Sequence, residues 1–156
     1  MIDLKQVLVA IDFDEMSNVA LTYARTLSRT FGARLHVLHV MGNAFLRPMA
    51  NDPRAIEAGV TRRLLDTLTE EDRSVLHAVP AIRTSEHPAE EIVKYAEAEQ
   101  IDLIILGTHG RPGVAHFLMG SVAEKVVRTA PCPVLTLRNH EREFVTPDPP
   151  SAPASA

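Results

Sequence analysis

The stretch Asp102-Leu-Ile-Ile-Leu-Gly107-Thr-His-Gly110-Arg-Pro-Gly113-Val-Ala-His-Phe-Leu-Met-Gly120-Ser121 decides how this chain is read. Its opening, Leu103 to Leu106, is an unbroken aliphatic run, the pattern of a strand buried on both faces of a parallel sheet. Four of the chain's seven glycines follow within fourteen residues, at Gly107, Gly110, Gly113 and Gly120, and a helical pattern starts at Ser121. A buried strand that gives way to a glycine-rich loop, and then to a helix opened by a hydroxyl residue, presents backbone N–H groups beside the positive end of a helix, which suits an anion. The plainer alternative is a long turn that needs glycine for positive φ. Concentration favours the anion site, because glycine otherwise occurs only at Gly32, Gly42 and Gly59.

On either side of this stretch, strand and helix patterns alternate. Val7 to Ile11 and Leu35 to Val40 are β-rich runs, and between them Val19, Ala20, Tyr23, Ala24, Leu27 and Phe31 recur at helical spacing, which makes a βαβ unit. Ile56, Val60, Leu64, Leu65 and Leu68 mark a second helix after a loop from Met41 to Asp52, with Asp52 as cap and Pro53 as first helical residue. A strand is expected around Val75 to Arg83, and Pro80 within it cannot donate to a ladder, so it belongs at a sheet edge. Pro88 opens a third helix with Ala89, Ile92, Val93 and Ala96 inward and Glu90 and Glu91 in its first turn. Ser121 is expected to cap a fourth helix with a buried stripe of Val122, Ala123, Val126, Val127 and Ala130, and Val134 to Leu137 make a fifth strand. This β-α-β-α-β-α-β-α-β order predicts an α/β fold: a single open, mainly parallel sheet with helices on both faces and right-handed crossovers.

The 156 residues suit one domain, expected to span residues 1–142, with a Pro-, Ala- and Ser-rich tail at residues 143–156 that reads as disordered. A net charge of −4 argues against coating nucleic acid, which requires many Lys and Arg to displace phosphate counterions. No apolar run approaches the roughly 20 residues of a membrane helix. The first strand begins early, with Asp3 ahead of it, which speaks against a secretory signal and for the cytoplasm. The single cysteine, Cys132, leaves no disulfide framework or cysteine zinc site and reads as a small turn residue between two prolines. Among seven histidines there is no H-x-x-x-H pair flanked by acids, and His36 and His39 fall on opposite faces of a strand, so no protein metal site is expected. His109 and His116 read as solvated loop residues.

In open parallel sheets, ligands sit beyond the carboxyl ends of strands, where strand order reverses. That rule selects Asp12, then His39 and Val40, then Gly107 to Ser121. Asp12 is read as an acceptor for a base or sugar, or as a simple turn or cap residue. Neither G-x-x-x-x-G-K-[ST] nor a G-x-G-x-x-G after the first strand is present. Arg111 and Lys125 are the cations nearest the loop, and Lys125 reads as a solvated helix residue. Phosphate charge is therefore expected to meet backbone amides, the Ser121 hydroxyl, the helix end and a divalent cation. No evident general base, nucleophile or water-positioning pair accompanies them, which points to a binding protein rather than a fast enzyme.

Asp12, the Leu38-His39-Val40 strand end, Asp102 to Arg111, Gly120-Ser121 and Cys132-Pro-Val-Leu together resemble the universal stress protein family, over about Lys5 to Arg138. The most specific element is the G-x2-G-x9-G-[ST] signature of its ATP-binding branch, present as Gly107, Gly110, Gly120 and Ser121. The resemblance implies a Rossmann-like sheet of order 3-2-1-4-5 and an ATP-binding regulatory dimer with at most slow hydrolysis or autophosphorylation. It implies a nucleotide site of Ala10, Asp12, Val40, Gly107, Thr108, Gly110, Arg111, Gly120, Ser121 and Val122, with Mg2+ or Mn2+ accompanying ATP, and a homodimer through Val134 to Leu137. Two positions depart from the family pattern, Asp14 for a common Ser and Ser85 for a common Gly. The first puts extra negative charge near a nucleotide. Two alternatives stay open. One is a phosphohydrolase of the haloacid dehalogenase type with Asp12 as nucleophile and Asp14 as acid/base, against which stands the lack of a late acidic pair for Mg2+. The other is a dimeric interaction module without nucleotide.

Overall fold

The computed structural model describes residues 1–42, 52–108, 120–139 and 141–145. His109, Gly110, Arg111, Gly113, His116, residues 43–51 and the tail from residue 146 lie outside the described residues. The elements, in chain order, are β1 (Gln6–Ala10), α1 (Glu15–Phe31), β2 (Arg34–Met41), α2 (Pro53–Thr67), α3 (Glu70–Ser74), β3 (Val79–Thr84), α4 (Pro88–Ala98), β4 (Leu103–Gly107), α5 (Ser121–Thr129) and β5 (Val134–Leu137). All strand pairings are parallel and the order is β3-β2-β1-β4-β5. This is the expected 3-2-1-4-5 sheet.

The aliphatic runs of the central strands are buried on both faces because helices cover both. Val7, Val9, Leu35, Val37 and Ile105 pack against Ala20, Tyr23 and Ala24 of α1 and against Leu64, Leu68 and Leu76. Leu8, Leu38, Ile104 and Leu106 pack against Ile92, Tyr95 and Ala96 of α4 and Ala123 and Val126 of α5. His36 occupies the second face as a satisfied core residue. Its Nε2–H donates to Gln6 Oε1 and its Nδ1 pairs with the Tyr95 hydroxyl, both at 2.8 Å. Burial pushes its pKa below the ordinary 6.5, with Glu99 pulling it up and Arg34 down.

Local rules account for most element ends. Asp14 caps α1, its Oδ1 accepting from Ser17 N at 2.7 Å, and Gly32 closes the helix at φ +66°. Asp52 and Pro53 open α2 as expected, and Pro88 opens α4. The structure departs from the sequence reading in three places. First, residues 70–74 form the short helix α3, and β3 therefore begins at Val79 rather than Val75. A capping box makes α3 without any apolar stripe: Thr69 Oγ1 accepts from Asp72 N at 3.1 Å while Asp72 Oδ2 accepts from Thr69 N at 2.8 Å. Pro80 still lies on an edge strand, opposite Val37 of β2.

Second, α5 buries only a narrow stripe. Ala123 and Val126 are inside, whereas Val122 and Val127 are 36% and 45% exposed. A nine-residue helix packed on α4 and the outer strands has neighbours along one side only. Third, the chain after residue 142 does not leave the core at once. Phe144 N donates to the Tyr23 hydroxyl at 3.1 Å, the two rings meet edge to face at 4.9 Å, and Val145 is buried in the α1 core. Among the described residues, no helix is long and apolar enough to cross a membrane.

Candidate functional site

Strand order reverses at β1, which pairs with β2 on one side and β4 on the other. The chain leaves these strands toward opposite faces of the sheet, opening a crevice beyond their carboxyl ends. A cleft of about 330 Å³ lies there. Ala10, Ile11, Asp12 and Ser17 form one wall, Val40 the floor on the β2 side, Leu106, Gly107 and Thr108 the β4 side, Pro88 and Ile92 of α4 the outer wall, and Gly120, Ser121, Val122 and Ala123 the start of α5. Ala10, Asp12, Val40, Gly107, Thr108, Gly120, Ser121 and Val122, far apart in sequence, thus converge on one cavity. Gly110 and Arg111 lie outside the described residues.

The turn that carries Asp12 is densely bonded. Ile11 N donates to Leu38 O at 2.9 Å, and His39 Nδ1–H donates to Ile11 O at 2.7 Å. Asp12 N donates to Ser17 Oγ at 2.9 Å, and that hydroxyl donates back to Asp12 Oδ1 at 2.6 Å. Asp14 N donates to the same Oδ1 at 3.2 Å. Asp12 and Asp14 thereby build the strand-to-helix turn and the cap of α1, duties that neither a nucleophile nor an acid/base needs. The position at which Asp14 departs from the family pattern is a helix cap, where a carboxylate is favoured by the helix dipole.

The motif glycines have different reasons. A Cβ at Gly107 would lie 2.8 Å from the carbonyl oxygen of Met16 and 2.9 Å from its carbon, so glycine is needed there for α1 to approach β4. At Gly120, φ is −53°, a value open to any residue, and no described atom comes within 4 Å of where a Cβ would stand. It is one of the residues that line the cleft. Gly120 itself is the N-cap of α5, without a side-chain cap bond, and Ser121 is the first helical residue. This corrects the expected Ser121 cap, since the chain turns into the helix one residue earlier. Thr108 donates both its N–H, at 2.7 Å, and its hydroxyl, at 3.1 Å, to Leu137 O. It braces β4 against the end of β5 while lining the cleft.

Just outside the cleft, Lys125 Nζ lies 2.8 Å from Glu90 Oε1 and joins the second turn of α5 to the first turn of α4. Its hydrogen bond holds the Glu90 carboxyl below the usual range. Lys125 is a solvated helix residue, as the sequence suggests, and its partner is a surface carboxylate. Ile11, Ser17, Pro88, Ile92, Leu106 and Ala123 complete the lining and were not singled out from sequence. Pro88 and Ile92 are legible as helix start and apolar stripe, and only the packing of α4 over the switch point brings them into the cleft lining. No cluster of three His, Cys, Asp or Glu able to hold a metal occurs among the described residues.

Fold and cleft define a doubly wound α/β protein whose cavity sits at the topological switch point. The model of the universal stress protein family matches residues 3–138, and the chain belongs to that family. It is 33% identical over 143 residues to a universal stress protein of Thermus aquaticus, covering 86% of this chain and 98% of the relative. Among solved structures it matches hypothetical protein MJ0577 of Methanocaldococcus jannaschii with a TM-score of 0.70 at 26% identity, over 90% of this chain and all of that one. It also shares its fold with the universal stress protein of Archaeoglobus fulgidus solved in complex with dAMP, with a TM-score of 0.58 at 24% identity over 87% of this chain and 98% of that one.

Proposed function

We propose that this chain is an ATP-binding regulatory protein of the cytoplasm that works as a nucleotide-dependent homodimer, with at most slow hydrolysis or autophosphorylation. The observation that carries the reading is Gly120: a glycine that neither its backbone angles nor any described neighbour demands, at the start of α5 and in the lining of the cleft. Close approach of a phosphate to the first N–H groups of a helix is a physical reason for having no side chain there. Val40, Ile92 and Val122 offer an apolar slot for a purine, and Asp12 an acceptor for the base or the ribose. By family resemblance the phosphates run along Gly110, Gly120, Ser121 and Val122, with Arg111 among the nucleotide-binding residues. Asp12 is the only carboxylate of the described lining, so Mg2+ or Mn2+ would arrive with ATP and take ligands chiefly from its phosphates. Bound metal would neutralise phosphate charge beside a described lining that holds no Lys or Arg.

As an edge strand paired only with β4, β5 carries the dimer contact in this reading. Binding that orders the approach to α5 would bias the population of a surface that a partner reads. The test is calorimetric titration of the purified full chain with MgATP, preceded by mass spectrometry of any nucleotide released on denaturation. Saturable binding that is lost in the Gly120→Ala, Ser121→Ala double variant supports the site. Wild-type affinity in that variant overturns it, and no binding at millimolar MgATP leaves the interaction-module reading in its place.

A further inference from the structure

Among the described non-glycine residues, three adopt positive φ. Gln100 and His77 follow the C-terminal ends of α4 and α3, where left-handed residues commonly end helices. Phe13, at φ +65°, lies instead between β1 and α1, directly after the cleft residue Asp12. Bulky side chains avoid this conformation, and it persists only where surrounding contacts impose it. Three contacts do so here. The Phe13 ring packs on the α1 side of the sheet, tilted against His39 at a centroid distance of 4.7 Å. The Arg63 guanidinium of α2 lies over the same ring, 4.4 Å from its centroid. His39 in turn donates to Ile11 O and fixes the peptide that precedes Asp12.

From this geometry we infer that Phe13, clamped between His39 and Arg63, is the positioning residue that aims Asp12 into the cleft and couples α2 to ligand binding. Asp12 lines the cleft while the adjacent Phe13 ring packs against the α1-side core, so locking the second restrains the first. The cation over the ring strengthens the lock, because a guanidinium is attracted to an aromatic face. α2 has Leu64 as its one buried residue, so Arg63 on Phe13 is a substantial part of what ties this helix to the sheet. Ligand held by Asp12 would therefore be felt at α2, on the face away from the cleft. The ligand half of this inference rests on the nucleotide reading above; the aiming of Asp12 does not.

The test uses Phe13→Ala, Phe13→Tyr and the surface variant Arg63→Gln in the full chain, with two readouts. In the unliganded protein, Phe13→Ala should speed hydrogen exchange of the Asp12 amide, which is bonded to Ser17 Oγ, by about tenfold or more, and leave the β4 amides unchanged. With MgATP, Phe13→Ala should weaken binding about tenfold, Arg63→Gln less, and Phe13→Tyr within about twofold of wild type. In an Asp12→Asn background, Phe13→Ala should cause no further loss, because its effect passes through Asp12. Additive losses in that background would make Phe13 merely structural and overturn the inference. Unchanged Asp12 exchange in both Phe13→Ala and Arg63→Gln would overturn it whether or not nucleotide binds. A wild-type chain that binds no nucleotide defeats the function proposed above, and the exchange data alone then decide the clamp.

Discussion

At the scale of single residues, Gly107 and His36 show how motif and composition mislead about purpose. Gly107 belongs to a phosphate-loop signature, yet the carbonyl of Met16 stands where its Cβ would go. Because that obstacle is backbone, Gly107→Ala is expected to lower stability by about 1–3 kcal/mol, a range set by overpacking in cores, measurable by urea unfolding. A variant as stable as wild type would return Gly107 to a purely ligand-facing role. His36 is buried and neutral, and its folded pKa lies below the unfolded 6.5. Between those two values the unfolded chain binds the extra proton, so stability is fully present above about pH 6.5 and falls as pH drops below it. His36→Gln should flatten that acid limb in unfolding curves taken between about pH 7 and 5. Its hydrogen-bond partner Tyr95 is pushed up to about 12, by burial and then by Glu99, and stays protonated through this window.

At the scale of elements, the short helix α3 is held by charge rather than by an apolar face. Arg25 Nε lies 2.9 Å from Asp72 Oδ1, its NH2 group lies 2.6 Å from Oδ2, and that NH2 also donates to Thr67 O at 2.8 Å. The pair thus fastens α1 to both α2 and α3. Burial pushes the Asp72 carboxyl up, but hydrogen bonds from Arg25 and Thr69 more than reverse this and leave it below 3.8. Arg25→Met strands a buried carboxylate and is expected to destabilise by about 3 kcal/mol. Arg25→Met with Asp72→Asn keeps the cap acceptor without the charge and should recover more than half of that loss. If the double variant is as unstable as the single one, the pair's charge is not what matters. The helix signals that sequence carries well are those with apolar periodicity, as in α1 and α4. α3 lacks one, and only its Thr69-x-x-Asp72 capping box marks it.

At the scale of the whole molecule, the chain returns to α1 after β5. Val145 joins Leu137 and Tyr23 in one core, and Phe144 closes over the Tyr23 ring. Composition places the end of the domain at residue 142, because proline-rich sequence follows closely, whereas one apolar residue beyond it, Val145, joins the core. Val145→Ala is expected to lower unfolding free energy by about 1–1.5 kcal/mol, from lost apolar area and the space left behind. An unchanged denaturation midpoint would mean that this segment does not dock in solution.

What the sequence determined by itself is what local rules and chain topology can express. Alternating strands and helices with Pro80 at an edge required an open parallel sheet, and the family resemblance implied the order 3-2-1-4-5, with a crevice between β1 and β4. Caps such as Asp52 with Pro53, and the helix start at Pro88, follow from backbone chemistry within a few residues. Only the tertiary structure decided which side chains share a cavity, why Gly107 and Gly120 are glycine for different reasons, and how Phe13 meets His39 and Arg63. Those contacts join residues far apart in the chain, and their energies come from close packing and from fixed angles between elements. No period, propensity or motif within one segment encodes that geometry.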